Sequence, residues 1–132
     1  MDMLKKLFSV FLVILLLAGP LAFAQGLKIT EMAFSEKVEN HKPVKADTSF
    51  SYSVGKICCF TKVEGAKDTT QISHIWYHDD KQMAKVDLSI RSSYWRTWSS
   101  KQILKSWIGN WRVDVVNAAG DVIKSKGFVI KK

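Results

Sequence analysis

Residues 94–116 read YWRTWSSKQILKSWIGNWRVDVV and hold four of the five tryptophans, Trp95, Trp98, Trp107 and Trp111. The stretch ends as a strand. Trp111, Val113 and Val115 alternate with Arg112 and Asp114, which puts the apolar set on one face and the charged set on the other. Its start, Tyr94–Trp98, also reads as a strand. Trp95 and Trp98 then cannot share a face, so one is interior and the other surfaces or covers an edge. Between the two strands the pattern predicts a short helix. Ser99 is the N-cap, Gln102 completes a capping-box spacing, and Ile103, Leu104 and Trp107 form an apolar stripe ended by Gly109. About two turns of helix hold only if packed.

Working upstream, Thr69–His78 (TTQISHIWYH) reads as a strand, Asp79-Asp80-Lys81 as a tight turn, and Met83–Ile90 as the returning half of a hairpin. In the return, Ala84, Val86, Leu88 and Ile90 form an apolar face. Lys56–Val63 (KICCFTKV) is β-branched and aromatic, another strand. Leu27–Phe34 alternates as a first strand, Phe50–Tyr52 adds a few paired residues, and Asn40–Asp47, with Pro43 and charges, reads as an exposed connection. Downstream, Val122–Ile130 closes a hairpin with Gly109–Val116 around Gly120. About seven short strands predict an all-β, antiparallel sandwich of immunoglobulin or fibronectin type III kind with one short helix, Trp76 at its centre. A small barrel is the alternative.

The first two dozen residues stand apart. Met1–Lys6 is basic, Leu7–Leu17 is apolar apart from Ser9, and Ala22-Phe23-Ala24 is a small-x-small site. This layout predicts a secretory signal peptide over 1–24, cleaved after Ala24, and a single domain over 25–132. An uncleaved anchor is the lesser alternative, because Gly19-Pro20 breaks an apolar run already short of the ~20 residues a span needs. A periplasmic or secreted protein with no later transmembrane segment follows. The chain carries a formal charge of +8, which favours anionic surfaces such as lipid or acidic polysaccharide. Export argues against nucleic acid as a partner.

The cysteines are adjacent, Cys58-Cys59. Neighbouring Cα atoms lie about 3.8 Å apart, below the usual disulfide range, so a buried thiol beside a partly covered one is the reading against a strained vicinal bridge. His74 and His78 share a strand face with Trp76, but four residues of strand separate them by about 13 Å, too far to share one zinc. His74 reads as a hydrogen-bonded histidine beside Trp76. Cys58, Cys59, His74, His78, Asp79, Asp80 and Ser99 are possible catalytic groups, yet no spacing among them encodes a known mechanism. The expectation is therefore no enzyme, no cofactor and no metal. What remains for binding is an aromatic–guanidinium platform of Tyr94, Arg96 and Trp98, with Lys101 beside it. The alternative is that Trp98 and Trp107 clamp the short helix.

His74-x-Trp76-Tyr77-His78, Trp95-Arg96-Thr97-Trp98-Ser99-Ser100-Lys101 and Gly109-x-Trp111-Arg112-Val113 before Gly120 resemble a bacterial family catalogued as domain of unknown function 2914. The resemblance runs from about Lys28 to Ile130, with WRTWSS its most specific part. It implies a bacterial protein, often exported or attached to membrane segments, and assigns no activity or functional residues. The functional expectation is a non-catalytic binding or assembly module of the bacterial envelope, its partner an envelope protein or a glycan. The alternative is a carbohydrate-binding domain using Trp98 and Arg96.

Overall fold

Ten strands and no helix make up residues 26–132, which the computed structural model describes. The expected signal peptide over 1–24 lies outside the described residues. β1 (Lys28–Ser35), β5 (Lys56–Glu64) and β8 (Tyr94–Gln102) form one sheet in the order β1-β5-β8. The second sheet runs β4-β10-β9-β6-β7, with β4 at Ser49–Ser51, β6 at Thr70–His78, β7 at Lys81–Ile90, β9 at Gly109–Asn117 and β10 at Val122–Lys131. β2 (Lys37–Glu39) and β3 (Lys42–Val44) make a separate two-stranded flap.

The apolar alternation read from the sequence is what joins the two larger sheets. β5 sends Ile57, Cys59 and Val63 inward, β9 sends Trp111, Val113 and Val115, and all six are at most 2% exposed. Phe128 on β10 is the meeting point of the rings. Phe34 lies 4.5 Å from it, Trp111 5.8 Å, Phe50 6.1 Å and Trp76 6.2 Å between centroids. Trp76 is fully buried. Rings of this size dominate core energetics, and tilted contacts add to the area they bury.

Four readings are corrected. The helix over Ser99–Trp107 does not form: β8 continues to Gln102, and the chain then turns, Trp107 N–H donating to Leu104 O at 2.9 Å. Nine consecutive register pairs, Glu64↔Tyr94 through Lys56↔Gln102, hold Ser99-Ser100-Lys101-Gln102 extended. That ladder outcompetes two turns of unsupported helix. Gly109 does adopt positive φ (116°), but as the start of β9 against the Asp79 carboxylate, where an added Cβ would sit 3.3 Å from Oδ1. The count of about seven strands was short because β2, β3 and β4 have only three residues each.

The third correction concerns Asn40–Asp47, which is not merely a connection. Asn40 and His41, both at positive φ (51° and 58°), turn β2 into β3. A two-residue turn of this hand matches the strand twist. Pro43 is tolerated because β3 pairs on one side only. Fourth, not every pair is antiparallel. β4 runs parallel to β10 over Val129↔Ser49 to Lys131↔Ser51.

Candidate functional site

β8 has two faces with opposite chemistry. Inward, Thr97, Ser99 and Trp95 meet the second sheet; outward, Tyr94, Arg96, Trp98 and Ser100 share the other side. Ser99 fixes this parity, since it is 5% exposed and reaches the core. Trp95 therefore packs against the core, whereas Trp98 is 37% exposed on the outside.

The inward face closes a hydrogen-bonded chain. Trp76 Nε1–H donates to Ser99 Oγ at 3.1 Å, and Ser99 Oγ lies 2.6 Å from His74 Nδ1. His74 Nε2 is 3.1 Å from Thr61 Oγ1, whose hydroxyl donates to Thr97 O at 3.0 Å. The direction of that last bond assigns the tautomer: Thr61 Oγ1 accepts from Nε2–H, and Nδ1 accepts from the Ser99 hydroxyl. Every donor has an acceptor only if the imidazole is neutral. Burial agrees, pulling the His74 pKa from 6.5 down to about 4. Ser99 beside His74 has the separation of a nucleophile and its base, yet His74 is 0% exposed and Ser99 only 5%. The expected hydrogen-bonded histidine beside Trp76 is present, and it is fully buried. His78, further along β6, stacks on Trp111 at 4.7 Å and donates from Nε2 to Ile108 O at 2.7 Å.

The outward face is assembled across three strands. Ala33–Phe60–Trp98 and Glu31–Lys62–Arg96 are rows of directly opposed residues on β1, β5 and β8. Phe60 is 1% exposed although it points away from the main core. Trp98 stacks beside it (6.4 Å, 23°), and His41 in the flap turn meets Trp98 edge-on (5.6 Å, 81°). Lys62 Nζ stands 4.9 Å over the Tyr94 ring. The neighbouring cations, Lys62 first and then Arg96, lower the Tyr94 pKa. Three open clefts meet at His41 and Arg96. One of ≈ 440 Å³ adds Asn40, Tyr94 and Trp95; one of ≈ 470 Å³ includes Glu31, Lys42 and Lys62; the third brings Arg91 and Trp98. Among the described residues, neither Lys62 nor Arg96 forms an ion pair with a carboxylate.

Of the four residues singled out in the sequence, Tyr94, Arg96 and Trp98 come together. Lys101 does not. An odd number of positions along the strand sends it to the other side, where its Nζ lies 5.1 Å over the Trp107 ring. His41, Lys42 and Lys62 were missed. Lys62 was findable from strand parity in β5. The flap residues were findable only by reading Asn40-His41 as a two-residue hairpin turn. The cysteines follow the same parity rule: Cys59 (0% exposed) enters the core, and Cys58 faces the flap with Sγ 3.7 Å from Glu36 O. Both are free thiols. Burial raises both pKa values, most for Cys59.

Among the described residues no three His, Cys, Asp or Glu gather in a metal-binding group, and no helix is long and apolar enough to cross a membrane. No curated protein matches the chain. The span from β6 to β10 contains the inner hydrogen-bonded histidine and the outer aromatic–arginine strand, whereas β1 to β5, with the flap and Lys62, precede it. That span, residues 69–130, matches the model of a family described as protein of unknown function (DUF2914), the family the sequence resembles.

Proposed function

We propose that the chain is an exported, non-catalytic binding module of the bacterial envelope, and that it binds through the outer face of β1-β5-β8. The observation that carries this reading is Arg96: a guanidinium without a carboxylate partner among the described residues, where three clefts meet, beside a tryptophan 37% exposed. A purely structural arginine would be expected to neutralise itself on a neighbour, as Arg112 does on Asp80 and Asp114. Burial of the Ser99–His74 pair supports a non-catalytic role. Export rests on the Met1–Ala24 sequence. The strand orders β1-β5-β8 and β7-β6-β9-β10 support an immunoglobulin or fibronectin type III relationship, a scaffold that hosts many binding functions and implies none by itself.

The test is retention of envelope-extract components on the immobilised chain, compared between wild type and Arg96→Ala. Components held by wild type and lost from the variant support the reading; an unchanged set overturns the assignment of this face. A second reading, a carbohydrate-binding domain, is favoured by the exposed Trp98 ring beside Arg96, an amphipathic combination suited to sugars. Soluble glycans should then quench or blue-shift tryptophan fluorescence, with the response absent in Trp98→Ala.

A further inference from the structure

We infer that the ligand of the outer face is a carboxylate-bearing polysaccharide lying along β8, with its carboxylates on Arg96 and Lys62 and a sugar face against Trp98. This rests on the reading of that face as the binding surface and specifies its chemistry. Three independent features converge on it.

The first is uncompensated charge. Lys62 and Arg96 are cross-strand partners, an arrangement of like charges that destabilises a sheet. Glu31 sits opposite Lys62 on the other side, leaving Arg96 without an anion. Lys42 and Arg91 line the adjoining clefts. An anion placed between Lys62 and Arg96 turns their repulsion into attraction, and a guanidinium binds a carboxylate through two parallel hydrogen bonds. The second feature is the order along the strand. Tyr94, Arg96 and Trp98 alternate aromatic, cation, aromatic, with roughly 7 Å between successive members. Lys62 already covers the Tyr94 ring, so Trp98 supplies the free apolar surface, and an acidic sugar unit presents both required groups close together.

The third feature is shape. The clefts of ≈ 440 and ≈ 470 Å³ fall within the usual size of small-ligand sites, but they lie side by side and open outward. A linear chain can run through them past the flap turn at His41. Because Arg96 and the flap turn at His41 line the same clefts, a narrow chain fits this surface better than a flat lipid one.

The experiment is calorimetric titration of the native chain with hexameric oligogalacturonate, a neutral hexaglucan and vesicles containing anionic lipid. The expected result is binding of the oligogalacturonate that weakens with added salt, with the neutral glucan weaker by about ten-fold or more. Arg96→Ala should weaken oligogalacturonate binding by about ten-fold or more with a melting temperature no lower than wild type. Lys105→Ala, an equal charge change in the β8–β9 turn, should leave it within about two-fold. Equal affinity for the neutral glucan overturns the charge assignment while leaving the binding face intact. Equal losses in Arg96→Ala and Lys105→Ala overturn it in favour of diffuse attraction. Arg96-dependent binding of vesicles in place of the sugar overturns the polysaccharide in favour of lipid. No binding to any of them overturns the inference, and the envelope-extract comparison still reports separately on the face.

Discussion

The two faces of β8 use the same kinds of residue to opposite ends. On the inner face, Trp76, Ser99, His74 and Thr61 satisfy one another completely, down to a single imidazole tautomer. On the outer face, Trp98, Arg96 and Tyr94 lie beside Lys62 and His41, with Arg96 left without an anion. A buried polar network costs stability unless every member is paired; an exposed one can stay unpaired because water solvates it. Completeness inside and incompleteness outside are therefore the physical marks that separate scaffold from site on one strand.

The comparison breaks most visibly if the inner cluster is dispensable. Trp76→Ala should cost about 3–5 kcal/mol, read as a drop in the denaturant midpoint, and a loss comparable to an exposed substitution would remove Trp76 from the centre of the fold. Next in size is the response to acid. The folded His74 pKa, about 4, lies below the 6.5 of the unfolded chain, so the unfolded state takes up the proton first. The contribution is complete above about pH 6.5 and is lost as the pH falls towards 4, a total of about 3 kcal/mol. His74→Gln should flatten that part of the stability–pH profile.

Smaller effects sharpen the contrast within adjacent residues. Ser99→Ala strands the Trp76 N–H and the His74 Nδ1 lone pair and should cost about 1–3 kcal/mol. Ser100→Ala, one residue on and facing outward, should stay within about 0.5 kcal/mol. Also small, and opposite in sign, is the effect of Arg96→Glu. It places a carboxylate opposite Lys62 and should stabilise the fold by about 0.2–1 kcal/mol while abolishing any anion binding at that face. A variant that gains stability and loses its ligand is the behaviour of a site, and a variant that melts lower would make Arg96 part of the scaffold.

Much of the scaffold was legible because it obeys period two. Ile57-Cys58-Cys59-Phe60, Ile72 through Trp76, and Trp111-Arg112-Val113 alternate or fill as strands must, and β5, β6 and β9 follow within a residue or two. The second half of β8 was not legible. Ser99-Ser100-Lys101-Gln102 contains no β-branched or aromatic residue and imitates a capping box, so only its pairing with Lys56–Cys59 makes it a strand. That error carried Lys101 into the candidate site, because a residue on a helix escapes strand parity. The sequence could state that Trp95 and Trp98 oppose each other but not which faced in. That was decided by Ser99, whose partners His74 and Trp76 are 25 and 23 residues away. The flap was hidden by Pro43, which reads as a strand breaker until the strand is seen to have one partner.

Phe128 gives the fold a direction in time. It is the shared neighbour of Phe34, Phe50, Trp76 and Trp111, and its strand β10 lies between β4 and β9 in the second sheet. These rings are separated along the chain by as many as ninety-four positions, from Phe34 to Phe128, so closing the core requires long loops to be fixed before their contacts reward it. Removing Phe128 would therefore take one shared neighbour from four rings on four other strands at once, so the last long strand of the second sheet is the keystone of the packing rather than its edge.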